Sequence, residues 1–265
     1  MNRGGRQQGS KVSNIVRTAA GRLLKPARRI IRRTYRLLGY DISRWPPLLD
    51  ELPGHLAGLL PRLGVNCVID VGAHWGEYGT QLRALGYEGR IVSFEPVGAS
   101  AERLRERAKD DSSWMVLQVA LGRSSESRLM NVPGHSDLAS FLEPDEFVLT
   151  HFPDSAIQSR EEVQVRRLDE LFDECTAGIA EPRVYVKMDT QGWDLEVFAG
   201  AAERLDRIVA LQSELSVKAI NQGMPIYLEA LTEYHRMGFE LTGLFPISRD
   251  ERSRIIEFDA VMVRR

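Results

Sequence analysis

Cysteine and long apolar runs are scarce in this sequence, and their scarcity excludes several classes of protein. Its 265 residues include two cysteines. Cys67 and Cys175 form neither a metal-binding spacing nor a disulfide framework, so we expect both to be reduced and structural. No run of about 18 apolar residues predicts a membrane span. The N-terminus lacks the apolar core and cleavage site of a secretory signal, and we therefore expect a cytoplasmic protein.

Acidic residues are absent from residues 1–40, which contain eleven lysines and arginines. Apolar residues recur there at helical spacing, interrupted by Pro26, and predict two amphipathic helices. We expect residues 1–45 to form a basic helical arm and residues 46–64 a proline-rich connector. The arm either packs on the acidic remainder of the chain or contacts an anionic membrane surface peripherally through residues 1–40. No nucleic-acid motif accompanies the charge, so no nucleic-acid partner is expected.

The chain is organised around residues 66–79. An apolar run over residues 65–71 is ended by small residues, which predicts a buried parallel strand, a tight turn and a helix. Asp70 lies at the carboxyl end of that strand, where open α/β sheets bind ligands. Gly72, Gly76 and Gly79 do not have the dinucleotide spacing G-x-G-x-x-G. Asp70, Gly72 and Gly76 fit the S-adenosylmethionine turn, an acid followed by G-x-G-x-G, with His74 in place of the middle glycine. Histidine is among the residues enriched at positive φ, so the exchange is tolerable.

Further strands continue the pattern in register. Residues 78–85 predict a helix and residues 90–94 a second strand, which is followed by Glu95 and Pro96. Glu95 lies nineteen residues after Gly76, the separation at which an acid takes the ribose hydroxyls of an adenosine cofactor. A third strand is expected over residues 114–121, and its small apolar residues Val119 and Ala120 could lie against an adenine ring.

Residues 125–165 form an insertion in which the pattern weakens into short β-like pieces and loops. It carries His135, Ser136, Ser140 and His151. An insertion of this length at the carboxyl edge of a sheet is usually functional, so one interpretation is a substrate-facing flap. The other is a solvent-exposed meander.

The remaining chain predicts a short helix at residue 168, a fourth strand over residues 183–188 that ends at Asp189, and a helix over residues 195–205. A fifth strand at residues 207–211 ends near Glu214, and a helix over residues 226–237 follows. Strands at residues 239–244 and 255–264 have no helix between them, which indicates an antiparallel pair. A mainly parallel seven-stranded sheet closed by such a hairpin, with helices on both faces, is the Rossmann-like methyltransferase arrangement.

These residues resemble the FkbM-type S-adenosylmethionine-dependent methyltransferases. The resemblance rests on DVGAHWG at residues 70–76, FEP at 94–96, ALG at 120–122, LD at 168–169, KMDTQGWD at 187–194 and Glu214. Where this sequence has His74, the family usually has asparagine. The resemblance implies a class I methyltransferase domain over residues 65–265, S-adenosylmethionine as cofactor, and O-methylation of a hydroxyl on a sugar, glycan, glycolipid or polyketide-type acceptor. It does not identify the acceptor.

Methyl transfer from a sulfonium requires an aligned acceptor oxygen and a group that helps to remove its proton. Asp189 is the first candidate for that base or orienting group, and Glu214 and His74 follow, with Asp194 and His135 behind them. Asp189 could alternatively be a cofactor-side or turn-capping carboxylate. The predicted cofactor-binding residues are Asp70, Gly72, Ala73, His74, Gly76, Glu95, Pro96, Val119, Ala120 and Asp189.

Four questions stay open at this point. Asp189, Asp194 and Glu214 could together hold Mg²⁺, but their spacing does not require it and we predict no metal site. A nicotinamide-dependent oxidoreductase is disfavoured by the glycine spacing and the closing hairpin. A non-catalytic scaffold is disfavoured because Asp70, Glu95 and Asp189 are all present. The sequence leaves the oligomeric state undetermined.

Overall fold

A computed structural model describes residues 51–134, 138–151 and 155–265. The basic arm with its predicted membrane contact, the start of the connector, and His135 and Ser136 lie outside these residues. Within the described part of the chain, no helix is long and apolar enough to cross a membrane.

The strands and helices of the described residues alternate along most of the chain. In chain order the strands are β1 Cys67–Val71, β2 Arg90–Phe94, β3 Trp114–Leu117, β4 Ala120–Leu121, β5 Glu126–Pro133, β6 Ile157–Arg166, β7 Val184–Met188, β8 Ile208–Ser216, β9 Phe239–Arg249 and β10 Ile255–Arg264. The helices are α1 Leu52–Leu63, α2 Glu77–Ala84, α3 Gly98–Ala108, α4 Glu146–His151, α5 Leu168–Cys175, α6 Asp194–Ala199 and α7 Tyr227–Arg236, with a 3₁₀-helix at Ala202–Arg207.

The main sheet has seven strands in the order β3-β2-β1-β7-β8-β10-β9. Strands β3, β2, β1, β7 and β8 pair in parallel. Strand β10 lies between β8 and β9 and runs antiparallel to both. This order confirms the predicted class I methyltransferase sheet with its antiparallel closing pair.

The side chains of the central strand β1 alternate between two hydrophobic cores, one on each face of the sheet. All five residues of β1 are buried. Cys67, Ile69 and Val71 belong to the core that packs against α5, α6 and α7, whereas Val68 belongs to the core that packs against α1, α2 and α3. Cys67 and Cys175 are both free and buried. Because both faces of the sheet are covered by helices, the ligand-accessible part of β1 is its carboxyl end.

The predicted third strand is in fact two strands in different sheets. Residues 114–117 pair with β2, but Ala120 and Leu121 pair with β6 in a second sheet of order β4-β6-β5. The backbone N–H of Glu95 makes the last bond of β2 to this neighbour, to the carbonyl oxygen of Leu117. The N–H of Val97, which comes next in the alternation, donates to Glu95 Oε1 instead, so the β2 ladder does not continue beside residues 120–121. The insertion is also more regular than its sequence indicates, since β5 and β6 form a long antiparallel pair.

The predicted helix over residues 195–205 is interrupted at Gly200. A β-carbon there would lie 2.1 Å from the carbonyl oxygen of Gly122. The chain approaches the end of β4 so closely that only glycine fits, and α6 gives way to the 3₁₀-helix.

The turn after β1 depends on a similar approach at Gly72. Its φ is 73°, and a β-carbon would lie 1.9 Å from the carbonyl oxygen of Asp189. Gly72 thus lets the turns that follow β1 and β7 lie against each other.

We expect Gly72→Ala to lower the free energy of unfolding by at least ~3 kcal/mol, because it combines left-handed strain with a backbone clash. Gly86→Ala is the matched control, since Gly86 has a φ of 85° and nothing within 4 Å of the added carbon. That change should cost about 1 kcal/mol. If urea unfolding shows equal losses of free energy of unfolding for the two variants, the close approach at Gly72 does not contribute to stability.

Candidate active site

A cavity of about 530 Å³ opens at the carboxyl ends of the central strands. Its volume is in the range of small-molecule sites. One end is apolar, with Val119, Ala120 and Leu121 from β4 and its approach. The other end is acidic, and its carboxyl-bearing residues are Asp189, Glu214, Glu257 and Asp259. The cavity therefore suits a ligand with an apolar ring at one end and positive charge at the other.

Most of the predicted site residues line this cavity. They are Gly72, Ala73, His74, Glu95, Pro96, Val119, Ala120, Asp189 and Glu214. Asp70 and Gly76 do not. A β-carbon on Gly76 would lie 2.7 Å from Leu104 Cδ1, so this glycine allows α2 to pack against α3 rather than facing a ligand.

His74 adopts the backbone conformation expected of the glycine that it replaces. Its φ is 48°, and its backbone N–H donates a 2.8 Å hydrogen bond to Glu95 Oε2. Its imidazole stacks on Trp75 and lies 3.7 Å from Glu77 Oε2. The loop after β1 is thereby tied to the end of β2, the two segments that an adenosine cofactor has to contact.

Glu95 is the acid at the end of β2 and is 6% exposed. Besides His74, the backbone N–H of Val97 donates to its Oε1 at 2.9 Å. Burial raises the pKa of Glu95 to about 7, although both hydrogen bonds and Lys187 oppose the rise. Each carboxylate oxygen retains a lone pair that can accept a hydrogen bond from a ribose hydroxyl. The residue fits the role that its sequence position predicts.

Asp70 forms a buried charge cluster with Lys187. Its Oδ1 lies 3.3 Å from Lys187 Nζ, and Ser93 Oγ donates to its Oδ2 at 3.1 Å. Lys187 also reaches Asp189 Oδ2 at 3.2 Å and donates to the carbonyl oxygen of Gly72 at 3.1 Å. Burial alone would lower the pKa of Lys187, but the two carboxylates outweigh it and raise that pKa. Lys187 is therefore a permanent cation that joins the ends of β1 and β7.

The side chain of Asp194 is directed into its own turn. Its Oδ1 accepts from the backbone N–H of Thr190 at 3.0 Å and from the Thr190 hydroxyl, and its Oδ2 accepts from Ser213 Oγ at 2.6 Å. Burial raises the pKa of Asp194 to about 6. Asp194 holds the turn after β7 and does not line the cavity. In residues 51–134, 138–151 and 155–265 no group of three or more His, Cys, Asp or Glu side chains is placed to hold a metal ion.

Asp189 and Glu214 meet at the acidic end of the cavity. Strands β7 and β8 are parallel neighbours, and Met188 is the register partner of Ser213. Asp189 and Glu214 are the next residues along each strand and therefore lie side by side. The side-chain amide of Gln191 donates to Asp189 Oδ1 at 3.2 Å and to Glu214 Oε1 at 3.4 Å. Burial, and then the charge of Asp189, raise the pKa of Glu214 well above its ordinary value. Glu214 therefore holds a proton more tightly than an exposed glutamate does.

Several polar residues of the site were not predicted from the sequence, among them Gln212, Glu257 and Asp259. Gln212 Oε1 accepts from the hydroxyls of Tyr78 and Tyr185 at 2.8 and 3.0 Å, and its Nε2 donates to Asp259 Oδ1 at 2.8 Å. Asp259 is the register partner of Glu214 on β10. Glu257 and Asp259 alternate with apolar residues, and this period of two was the available signal.

Removing the buried cation tests the cluster around Lys187. We expect Lys187→Met to lower the free energy of unfolding by about 3–5 kcal/mol, because it leaves the buried carboxylate of Asp70 without its cationic partner. Adding Asp70→Asn should recover part of that loss. As a control, Lys109→Met removes only an exposed ion pair with Glu106 and should cost less than about 1 kcal/mol. The cluster is unimportant for stability if both lysine variants unfold at the same urea concentration.

Glu95 gives stability a pH dependence. Its folded pKa of about 7 is above the ordinary value of 4.5, so the folded state binds more protons between these pH values and stability falls as the pH rises. Between pH 4.5 and 7.5 the parental protein should lose on the order of 3 kcal/mol more than Glu95→Gln does. Urea unfolding of both proteins across this range measures the difference. Parallel curves would contradict the assignment of this pKa.

The sequence was compared with models of known protein families. The family model described as methyltransferase FkbM domain matches residues 70–241, which is more than half of the chain. No curated protein matches the sequence.

Several solved structures are similar to this one at low sequence identity. An rRNA methylase from Streptococcus thermophilus has 11% identity and a TM-score of 0.43, with 82% of this chain and 99% of that chain covered. Aeropyrum pernix fibrillarin with bound S-adenosyl-L-methionine has 9% identity and a TM-score of 0.43, with 75% and 66% covered. The magnesium protoporphyrin IX methyltransferase of Synechocystis PCC 6803, with bound S-adenosylmethionine, has 10% identity and a TM-score of 0.43, with 80% and 78% covered.

The strand order and the family match together leave the nicotinamide alternative without support. The chain belongs to the FkbM family of S-adenosylmethionine-dependent methyltransferases.

Proposed function

We propose that this methyltransferase acts on oxygen, and that its acceptor is a hydroxyl of a sugar, glycan, glycolipid or polyketide-type molecule. The observation that carries the proposal is the pair of neighbouring carboxyl groups, Asp189 and Glu214, at the polar end of the cavity. Carboxylates accept hydrogen bonds from hydroxyl groups and can take up their protons.

The residues of the cavity fit S-adenosylmethionine. Glu95 would accept hydrogen bonds from the ribose hydroxyls, and Val119 and Ala120 would lie against the adenine. The acidic lining favours the positive charge of the sulfonium and of the amino group. Bound in this way, the cofactor supplies an electrophilic methyl group.

Transfer breaks the bond between sulfur and the methyl carbon and forms a bond between that carbon and the acceptor oxygen. The electron pair of the broken bond stays on sulfur, which becomes a neutral thioether. The hydroxyl proton has to leave, and a carboxylate of this chain is its acceptor. The residues of the chain thus orient the hydroxyl, exclude water and take the proton.

Asp189 is the first candidate for the orienting group or base. Its side chain is 31% exposed and lines the cavity, and Lys187 holds one of its oxygens at 3.2 Å. That ion pair fixes the direction of the carboxylate. Glu214 is the second candidate because burial raises its pKa, and His74, at the opposite side of the Gly72 turn, is the third.

Asp189→Asn keeps the shape of the side chain and removes its charge. We expect the rate of single-turnover methyl transfer at saturating S-adenosylmethionine to fall by roughly 10²–10⁴-fold, with little change in cofactor affinity. Asp173→Asn is the matched control. Asp173 is 79% exposed, forms an ion pair with Arg204 and does not line the cavity.

The outcome also separates the other roles. If Asp189 instead holds the methionine part of the cofactor, calorimetric titration with S-adenosylhomocysteine should show weaker binding, and transfer should slow only through lost occupancy. A parental rate for Asp189→Asn would move the assignment to Glu214 or His74.

The acceptor class is tested by measuring the release of S-adenosylhomocysteine, the product of methyl transfer. The compounds offered are hydroxylated sugars, lipid-linked glycans and polyketide-type alcohols, with amines and thiols as the comparison set. Methylation confined to the amines or thiols would contradict the proposal. Cofactor binding without transfer to any of these compounds would support the scaffold alternative.

A further inference from the structure

Gln191 has a backbone conformation that glutamine rarely adopts. Its φ is 54°, in the left-handed region. Such strain persists only where the surrounding structure determines the conformation, and it concentrates at functional sites. Gly192 follows with a φ of 95°, and a β-carbon there would lie 2.7 Å from Met224 Cβ. The conformation of Gln191 is therefore held by the contacts of the turn after β7, because glutamine itself does not favour positive φ.

Two buried side chains from different segments hold the carbonyl oxygen of Gln191. Ser140 Oγ, from the insertion, donates to it at 3.1 Å, and Asn221 Nδ2, from the segment between β8 and α7, donates at 2.9 Å. Ser140 and Asn221 are 3% and 7% exposed. The two segments are themselves joined, since the backbone N–H of Gln222 donates to the carbonyl oxygen of Glu143 at 2.8 Å.

The side chain of Gln191 is shared between the two acids of the acceptor end. One carboxamide nitrogen donates to both Asp189 Oδ1 and Glu214 Oε1. Two carboxylates at this separation repel each other, and a donor between them lowers that repulsion while fixing one oxygen of each. Because Lys187 holds the other oxygen of Asp189, that carboxylate is fixed at both oxygens.

We infer that Gln191 is a positioning residue: its amide sets the relative orientation of Asp189 and Glu214, and the insertion sets Gln191 through Ser140. This inference rests on the proposed function in that it takes these two acids as the acceptor-side groups. Gln191 acts through the carboxyl groups. The insertion is thereby assigned a part in building the site, in addition to any contact with the acceptor.

Gln191→Gly separates the side chain from the backbone. Glycine adopts positive φ without strain, so stability should be kept while the shared donor is lost. In the full chain with S-adenosylhomocysteine bound, carboxyl-¹³C NMR should show the titration midpoint of Glu214 rising by roughly one pH unit, because a hydrogen bond to the charged form is removed. The groups that also raise this pKa are Asp189, Glu257, Asp259 and Asp194, and all of them are unchanged.

Ser140→Ala is the second variant. Ser140 does not line the cavity, and its hydroxyl bonds the carbonyl oxygen of Gln191. A rise in the titration midpoint of Glu214 in this variant would therefore be caused by a change in the position of Gln191. Gln164→Ala, on an exposed position of β6, is the control and should leave the midpoint where it is. With an acceptor in hand, single-turnover transfer by Gln191→Gly should fall about tenfold to hundredfold at an unchanged affinity for the cofactor.

The results distinguish this inference from the proposed function. An unmoved Glu214 midpoint in folded Gln191→Gly overturns the positioning role, and so does transfer at the parental rate. If the parental protein methylates no hydroxyl but the midpoint moves in both variants, the proposed function fails and the positioning of the two acids by Gln191 stands. A loss of stability alone, with titration and rate unaffected, reduces Gln191 to a structural residue.

Discussion

The site depends on one buried cation. Lys187 is 5% exposed and lies between the carboxylates of Asp70, which is in β1, and Asp189, which follows β7. An ammonium group in this position is costly to bury and is stabilised only by close partners of opposite charge. It also donates to the carbonyl oxygen of Gly72. One side chain therefore fixes the turn after β1 and the carboxylate of Asp189 relative to each other.

The charged groups that line the cavity around this cation are mostly acidic. The lining includes Glu95 after β2 and the four carboxyl-bearing residues of the acidic end. Burial raises the pKa of Glu95 to about 7 and that of Asp259 to about 6. A ligand that carries positive charge would stabilise the ionised forms of these groups. The acidic lining of the cavity is thus suited to a ligand that carries positive charge, as a sulfonium does.

The insertion between β4 and α5 has a structural part in this arrangement. Its strands β5 and β6 form a sheet with β4, and its residue Ser140 reaches the turn after β7. The side chains of Met130 and Phe141 line the cavity beside Trp193. These contacts favour the substrate-facing interpretation of the insertion over an exposed meander.

The sequence by itself determined the sheet, the turn after β1 and the acids at the strand ends, because apolar periodicity and glycine spacing report local geometry directly. His74 and Glu95 lie where their positions in the chain predicted. Only the tertiary structure decided that Asp70 turns away from the cavity to Lys187, that Asp194 caps its own turn, and that Asp259 faces Glu214. Those outcomes depend on which strand lies beside which. Such pairings join residues far apart in the chain, and a one-dimensional pattern contains no record of them.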